Sequence, residues 1–521
     1  WYPLQHTSVP DKTGAIGAIL PAGTLQQYGA FMKKIEFCGQ SLQSDDAFAR
    51  LGAHFSVQVQ PRPLPSPRLV VASPQAAALL DWPQDVLDQP GFLALVAGET
   101  AFEGVPARAM VYAGHQFGGY TPQLGDGRGQ LLAQLRNQKG ELWDLHLKGA
   151  GITPFSRDGD GCAVLRSSIR EFIASEHLAA LGIATTRALA VVDSDMPVRR
   201  ELTETAATLL RLARTHVRFG HFEYFYYTRQ YKQLHQLMDY VLEQHYPQCR
   251  TADNPLQAMF AAISERTAEL LAGWQAYGFC HGVMNTDNMS ILGETLDYGP
   301  FAFLERYQPG YVCNSSDIGG RYAFDRQVEM AEWNLTALGQ TFTGRVGLEP
   351  LRQTLEEFYP AYRKYYLQRM RARLGLQGAE NGDEALIERL LKILQGAELD
   401  YNRFFRQLSD AESVEQLLPL AGFCVVPADL QQWLQDWWQR AMPAGRDNAQ
   451  RQQVMQAVNP LYVLRNSLIQ DAIEAAHRQD YAPVRQLHEV MSQPFVARPG
   501  FELYAQPTAP ERQGWPLSCS S

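Results

Sequence analysis

The feature that most limits the fold is a change of texture near residue 220. Before it, strand-like alternation between glycine turns is mixed with helical stretches; after it, the chain reads helical and aromatic for about three hundred residues. Alternation of period two marks strands and spacing of three to four marks helices, so the two textures belong to different layers of one α+β protein. Residues 104–150 read as strands separated by glycine turns. Leu142, Trp143, Leu145 and Leu147 place Asp144, His146 and Lys148 on the opposite face of one strand. Ala163 to Leu181 reads as a helix with Leu165, Ile169, Phe172, Ile173 and Leu178 as its apolar stripe. Residues 205–219 read as a second helix carrying Arg211, Arg214 and Arg218. Residues 37–82 read as loop, because Gln60-Pro61-Arg62-Pro63-Leu64-Pro65-Ser66-Pro67 can hold neither a helix nor a central strand. A glycine- and aspartate-rich stretch from His281 to Arg326 interrupts the helical half, and no internal repeat is visible.

With 45% apolar and 19% charged residues, the 521-residue chain can bury a large core, which excludes a disordered class. The formal charge of −9 argues against a nucleic-acid binder held by bulk electrostatics. No apolar run approaches the roughly 18 residues that span a bilayer. Seven scattered cysteines without a C-x-x-C pair suit a reducing cytosol, so a cytoplasmic protein is expected. Residues 1–31 begin with Trp1 and make a poor secretory signal: a proline interrupts their apolar part, and Lys12 is the only basic residue ahead of it. They read as an upstream extension.

Four groups of residues carry chemistry. His281-Gly282-Val283-Met284-Asn285-Thr286-Asp287-Asn288 is followed by Leu296-Asp297-Tyr298-Gly299. Asp and Asn are hard oxygen ligands, and Asn288 with Asp297 at this separation can hold Mg²⁺ against phosphate oxygens, as in kinase-like phosphotransferases. The carboxylate that such loops carry two residues after the His is replaced by Val283, which leaves Asp287 as the candidate proton acceptor. Lys148, followed 23 residues later by Glu171 on a helix, has the arrangement that aims a lysine at nucleotide phosphates, although a strand-end lysine is more often a solvated edge residue. Gly114 to Gly119 and Gly125-Asp126-Gly127-Arg128 offer backbone N–H groups and a guanidinium to phosphates, or form hairpin turns. Asp160 and Gly161 stand just before the Glu171 helix. Arg211 and Arg218, seven apart and read as one helical face, are by themselves a solvated stripe; beside the metal residues and the Lys148–Glu171 pair they read as a polyphosphate clamp. These residues alone point to an ATP- and Mg²⁺-dependent phosphotransferase-like enzyme. The rivals are an ordinary kinase and a non-catalytic pseudokinase scaffold.

From about residue 45 to its end the sequence resembles the selenoprotein O family of protein adenylyltransferases. The resemblance rests on Gly114-His115-Gln116-Phe117-Gly118, Gln123-Leu124-Gly125-Asp126-Gly127-Arg128, Leu147-Lys148-Gly149-Ala150-Gly151 and Ala163 through Phe172. Arg218-Phe219-Gly220, the His281–Met289 loop, Asp297-Tyr298-Gly299-Pro300, Gly320-Arg321-Tyr322-Ala323-Phe324 and Cys519-Ser520-Ser521 extend it. It implies a protein-kinase-like bilobal fold: a mixed α/β N-lobe over 32–220, a helical C-lobe over 221–494 and a tail over 495–521 with Cys519. It further implies that ATP binds flipped relative to kinases and that AMP passes to Ser, Thr or Tyr hydroxyls of protein substrates; UTP with Mn²⁺ is the alternative. By motif, Lys148 contacts the phosphates and Glu171 holds it, while Gly125, Gly127, Arg128, Asp160, Gly161, Arg211 and Arg218 line the nucleotide site. Asp287 is then the proton acceptor, and Asn288 and Asp297 bind Mg²⁺ or Mn²⁺. A monomer without nucleic-acid or membrane partners is expected. The chain departs from the family at Ile152, where Pro is usual, and at Cys162, where Arg is common. Cys519 falls where animal relatives carry selenocysteine; the resemblance offers Cys313 as its disulfide partner, with two free thiols as the alternative.

Overall fold

The computed structural model describes residues 32–514. Its first half is built on a ten-stranded sheet whose strand pairs run antiparallel. In spatial order the spine of the sheet is Met32–Phe37, Gln40–Asp45, Gly129–Arg136, Leu142–Lys148, Thr203–Ala213, Arg187–Arg199 and Arg68–Ala72. Every residue of the central strand Leu142–Lys148 is buried. Leu145 and Leu147 join Leu210, Leu212, Ala76 and Phe92 in one core. Asp144, His146 and Lys148 lie on the other face, where each meets a polar partner: His216, Asp126 and Glu171. Neighbouring residues of the other strands divide in the same way. Val191 and Leu209 belong to the larger core, Val192 and Leu210 to the smaller.

Two readings of the first half need correction. Residues 205–219 are not a helix. Thr203–Ala213 is a strand paired on one side with Arg187–Arg199 and on the other with Leu142–Lys148. Over Ala206–Ala213 it is buried on both faces, so apolar residues stand at adjacent positions and the period that separates strand from helix is lost. The helix begins only at Phe219 and ends at Tyr227. Residues 37–82 are not all loop either, since Gln40–Asp45, Ser56–Gln58 and Arg68–Ala72 are strands. The proline-rich part is irregular, as its missing N–H groups require.

The expected helix is Leu165–Ala180; it starts late because Ala163–Val164 pairs with Thr203–Ala213. Its stripe of Ile169, Phe172, Ile173 and Leu178 is fully buried in the larger core, which continues into the helical half of the chain. The longest helix there, Pro255–Tyr277, shows how its ends are encoded. Asn254 accepts the Gln257 N–H, Pro255 opens the first turn, and Gly278 leaves it at φ +71°. Between Gly278 and Gln327 the chain is mostly irregular, apart from the short pair Phe279–Cys280 with Ala302–Phe303 and single 3-10 turns at Thr286–Asn288 and Phe324–Arg326. Among the described residues no helix is long and apolar enough to cross a membrane.

Candidate active site

Where the sheet meets the irregular stretch lies a cavity of about 810 Å³. Eleven of the twelve residues singled out above line it: Gly125, Gly127, Arg128, Lys148, Asp160, Gly161, Arg211, Arg218, Asp287, Asn288 and Asp297. The twelfth, Glu171, sits behind the lining, with Oε2 2.5 Å from Lys148 Nζ.

Glu171 also binds Arg211, whose Nε lies 2.5 Å from Oε1, and Arg211 Nη2 lies 3.0 Å from Asp297 Oδ1. Arg218 donates to the other oxygen of Asp297 and to the Asp287 carbonyl, the latter at 2.8 Å. Lys148, Glu171, Arg211, Asp297 and Arg218 therefore form one continuous chain of ion pairs. Arg211 and Arg218 do not share a helical face; Arg211 comes from the strand and Arg218 from the N-cap of helix Phe219–Tyr227. They converge on Asp297 from two elements.

This chain sets the charges. Burial lowers the Lys148 ammonium to about 8, against the pull of Glu171. Burial also disfavours charge on Glu171, but Arg211 and Lys148 hold its carboxyl below the usual range. Asp297 is opposed by burial in the same way, and Arg218, Arg211 and Lys148 hold it well below that range. Asp287 behaves differently. Burial pushes its carboxyl up to about 7, with only partial relief from Arg218. Its Oδ2 accepts from Gln116 Nε2 at 3.2 Å, while Oδ1 is buried without a hydrogen-bond partner. Two carboxyls driven apart in one cavity suit two roles, a fixed anion and a proton acceptor.

Asn288 donates through Nδ2 to the Val283 carbonyl at 2.9 Å, which leaves its side-chain oxygen for a ligand. Asn288 and Asp297 offer oxygen donors of the kind that suit a hard cation such as Mg²⁺ or Mn²⁺, with both Asp297 oxygens also engaged by Arg211 and Arg218. Among the described residues no cluster of three or more His, Cys, Asp or Glu is placed to hold a metal, so protein groups alone would not complete its shell.

The glycine-rich segments do different things. Gly125-Asp126-Gly127-Arg128 packs onto the segment around Phe155: Thr153 Oγ1 donates to the Asp126 carbonyl at 2.6 Å and Ser156 to that of Gly127. Gly125 stands at φ +67°, and a Cβ there would lie 2.5 Å from the Phe155 ring. Arg128 is exposed at the cavity. The segment 114–121 forms a two-stranded hairpin that grips the Asp287 loop instead of cradling a ligand through its glycines. Phe117 N–H and Tyr322 Oη–H both donate to Asn285 Oδ1, at 3.3 and 2.7 Å. Asp160 receives two bonds from Arg200, at 2.7 and 2.9 Å, and the Cys162 N–H at 2.9 Å. Its carboxylate is thereby tied to protein at the cavity wall.

Sequence reasoning missed Arg200 and Gln116 as cavity residues. Gln116 lay inside a quoted motif; Arg200 had no signal, since it follows another arginine at a strand end. Ile152 is 65% exposed, and Cys162 is buried. Cys313 is buried, its Sγ 3.5 Å from the Cys280 carbonyl. Its expected partner, Cys519, lies outside the described residues.

Comparison with known proteins places the site in context. The model of a family described as "Protein adenylyltransferase SelO" matches residues 39–492. The chain is 55% identical over 491 residues to a protein of Ectopseudomonas mendocina (strain ymp) named "Protein nucleotidyltransferase YdiU", covering 94% of this chain and all of that one. It is 56% identical over 481 residues to a protein of the same name from Azotobacter vinelandii, covering 92% and 99% of the two chains.

Proposed function

The chain belongs to the SelO family of nucleotidyltransferases, and from that premise we propose that it transfers AMP from ATP to serine, threonine or tyrosine hydroxyls of proteins. That it is a nucleotidyltransferase follows from the family. The acceptor, the nucleotide and the metal are the proposal.

The observation that carries it is Asp287, a carboxylate with one oxygen free of hydrogen-bond partners that lines the same cavity as Lys148, Arg211 and Arg218. An acceptor hydroxyl gives its proton to Asp287 as its oxygen bonds to the α-phosphorus. The bond from that phosphorus to the β-phosphate bridging oxygen breaks, and pyrophosphate leaves. Lys148, held by Glu171, and the Arg211–Arg218 pair take the charge of the departing phosphates. Gly125, Gly127 and Arg128 line the nucleotide, with Asp160 and Gly161 shaping the wall beside it. Asn288 and Asp297 would hold Mg²⁺ or Mn²⁺, which when bound neutralises phosphate charge. The nucleotide lies flipped relative to kinases, so that the α- and not the γ-phosphate faces Asp287. In this reading the molecule is a kinase-like bilobal enzyme: N-lobe 32–220, C-lobe 221–494, tail 495–521. It acts as a monomer in the cytoplasm.

Intact-protein mass spectrometry of an acceptor protein after incubation with ATP and Mg²⁺ tests the proposal. Addition of an adenosine monophosphate supports it, and addition of a bare phosphate overturns it.

A further inference from the structure

We propose that Glu223 is a positioning residue for Asp287, acting through Thr286 and His115 without touching the reactants. The proposal rests on the reading of Asp287 as proton acceptor.

Glu223 is fully buried on helix Phe219–Tyr227, and both of its carboxylate oxygens are used. Thr286 donates its hydroxyl to Oε2, and His115 Nδ1 lies 2.6 Å from Oε1. The ring closes because the His115 backbone N–H donates to Thr286 Oγ1 at 2.7 Å. Each of the three residues is joined to the other two. The His115 imidazole is itself packed among Tyr120, Tyr227 and Trp333, with ring centres 5.2 to 5.8 Å away.

This ring lies directly under the reactive turn. Thr286 precedes Asp287 in the 3-10 turn Thr286–Asn288, and Gln116, which binds Asp287 Oδ2, follows His115 in the hairpin. One short helix therefore holds the turn at two points: Arg218 at its start takes the Asp287 carbonyl, and Glu223 takes the Thr286 hydroxyl. The fit leaves no slack. A Cβ at Gly114 would lie 2.7 Å from Asp287 Oδ1, and one at Gly220 would lie 2.1 Å from the Ala113 carbonyl.

A buried donor or acceptor stripped of its partner is costly, so the turn cannot slide without breaking the whole ring. Glutamate suits the place because its two oxygens accept from two donors at once; glutamine would turn an N–H₂ toward one of them. The helix does not need the ring to stay folded, since Phe219, Phe222 and Phe225 are fully buried in the larger core. What the ring supplies is the placement of the Asp287 carboxylate relative to an incoming hydroxyl. A misplacement of about 1 Å at such a group costs on the order of 100-fold in rate.

The test compares Glu223→Gln, Thr286→Val, Thr286→Ser and Asp287→Asn in the full chain. It reads kcat and KM for ATP labelled at the α-phosphate, incorporated into protein, together with ATP affinity by calorimetry and the melting temperature. Glu223→Gln and Thr286→Val are expected to lower kcat on the order of 100-fold with KM and ATP affinity nearly unchanged, and Thr286→Ser to recover most of the loss. Should Glu223→Gln fail to fold, the Thr286 pair carries the comparison. An unaltered kcat in Thr286→Val overturns the positioning role, as does a rise in KM that serine does not rescue. If Asp287→Asn is inactive while Thr286→Val is unimpaired, only the positioning role falls. Turnover retained in Asp287→Asn removes the proton-acceptor reading and this role with it.

Discussion

Asp287 and Asp297 line the same cavity, yet their surroundings drive their carboxyls in opposite directions. Asp297 is held anionic by Arg218, Arg211 and Lys148, against burial; Asp287, with burial dominant and Arg218 its principal relief, is pushed up to about 7. The opposite shifts follow from which arginines reach which carboxylate, and they suit the proposed division between a fixed anion and a proton acceptor.

Asp297→Ala should abolish nucleotidyl transfer while the protein stays folded. The substitution frees Arg211 and Arg218 from their shared partner and removes the one carboxylate of the proposed metal donor set. Label incorporation from ATP, with circular dichroism as the folding control, decides the matter. Near-normal turnover in a folded variant would remove Asp297 from the metal site.

Lys148→Met and Glu171→Gln should separate activity from stability. Glu171 is shared between Lys148 and Arg211, so Lys148→Met leaves it paired, whereas Glu171→Gln leaves the buried Lys148 without a carboxylate and Arg211 with Asp297 alone. Lys148→Met is expected to reduce kcat/KM by orders of magnitude with a small change in Tm. Glu171→Gln should lower activity less and cost about 3 kcal/mol of stability, the range for breaking a buried pair. Equal losses of Tm in the two variants would contradict the shared pairing.

His177 should make stability fall with acidity. Its Nδ1 is bound at 3.0 Å to the Met491 carbonyl and its Nε2 is buried without a partner; burial lowers the imidazole to about 4 from the usual 6.5. The unfolded chain therefore takes up a proton here that the folded chain refuses between pH 6.5 and 4. This contribution is complete above about pH 6.5 and is lost as the pH falls toward 4, by roughly 3 kcal/mol at 1.36 per pKa unit. Urea midpoints measured at pH 7.5 and 5 should shift less in His177→Gln than in the parent chain. Equal shifts would show that His177 is not the group responsible.

The sequence made most of the candidate site legible because its residues sit in short, local patterns. Alternation along Leu142–Lys148 put Lys148 on the polar face, and helical spacing put Glu171 on a helix opposite it. The strand Thr203–Ala213 was misread because burial on both faces erases the period that would identify it. With that strand lost, the convergence of Arg211 and Arg218 on Asp297 could not be foreseen, only their nearness in sequence. The link from Glu223 to Thr286 and His115 joins residues 63 and 108 positions apart, and no local pattern encodes it.

Chelation should stop the reaction reversibly. Asn288 and Asp297 offer only oxygen donors, so EDTA is expected to abolish transfer and Mg²⁺ or Mn²⁺ to restore it, with Asn288→Ala needing more metal for half-maximal rate. Activity that survives exhaustive chelation would contradict the assignment.

The central claim concerns which phosphate bond is broken. Parallel reactions with ATP labelled at the α-phosphate and at the γ-phosphate, and a third with UTP labelled at the α-phosphate, measure it directly. The account predicts that label enters protein from α-labelled ATP, that γ-label appears only in pyrophosphate, and that Asp287→Asn incorporates neither. Incorporation of the γ-label would make the protein a kinase, and preference for the uridine nucleotide would replace AMP by UMP as the group transferred.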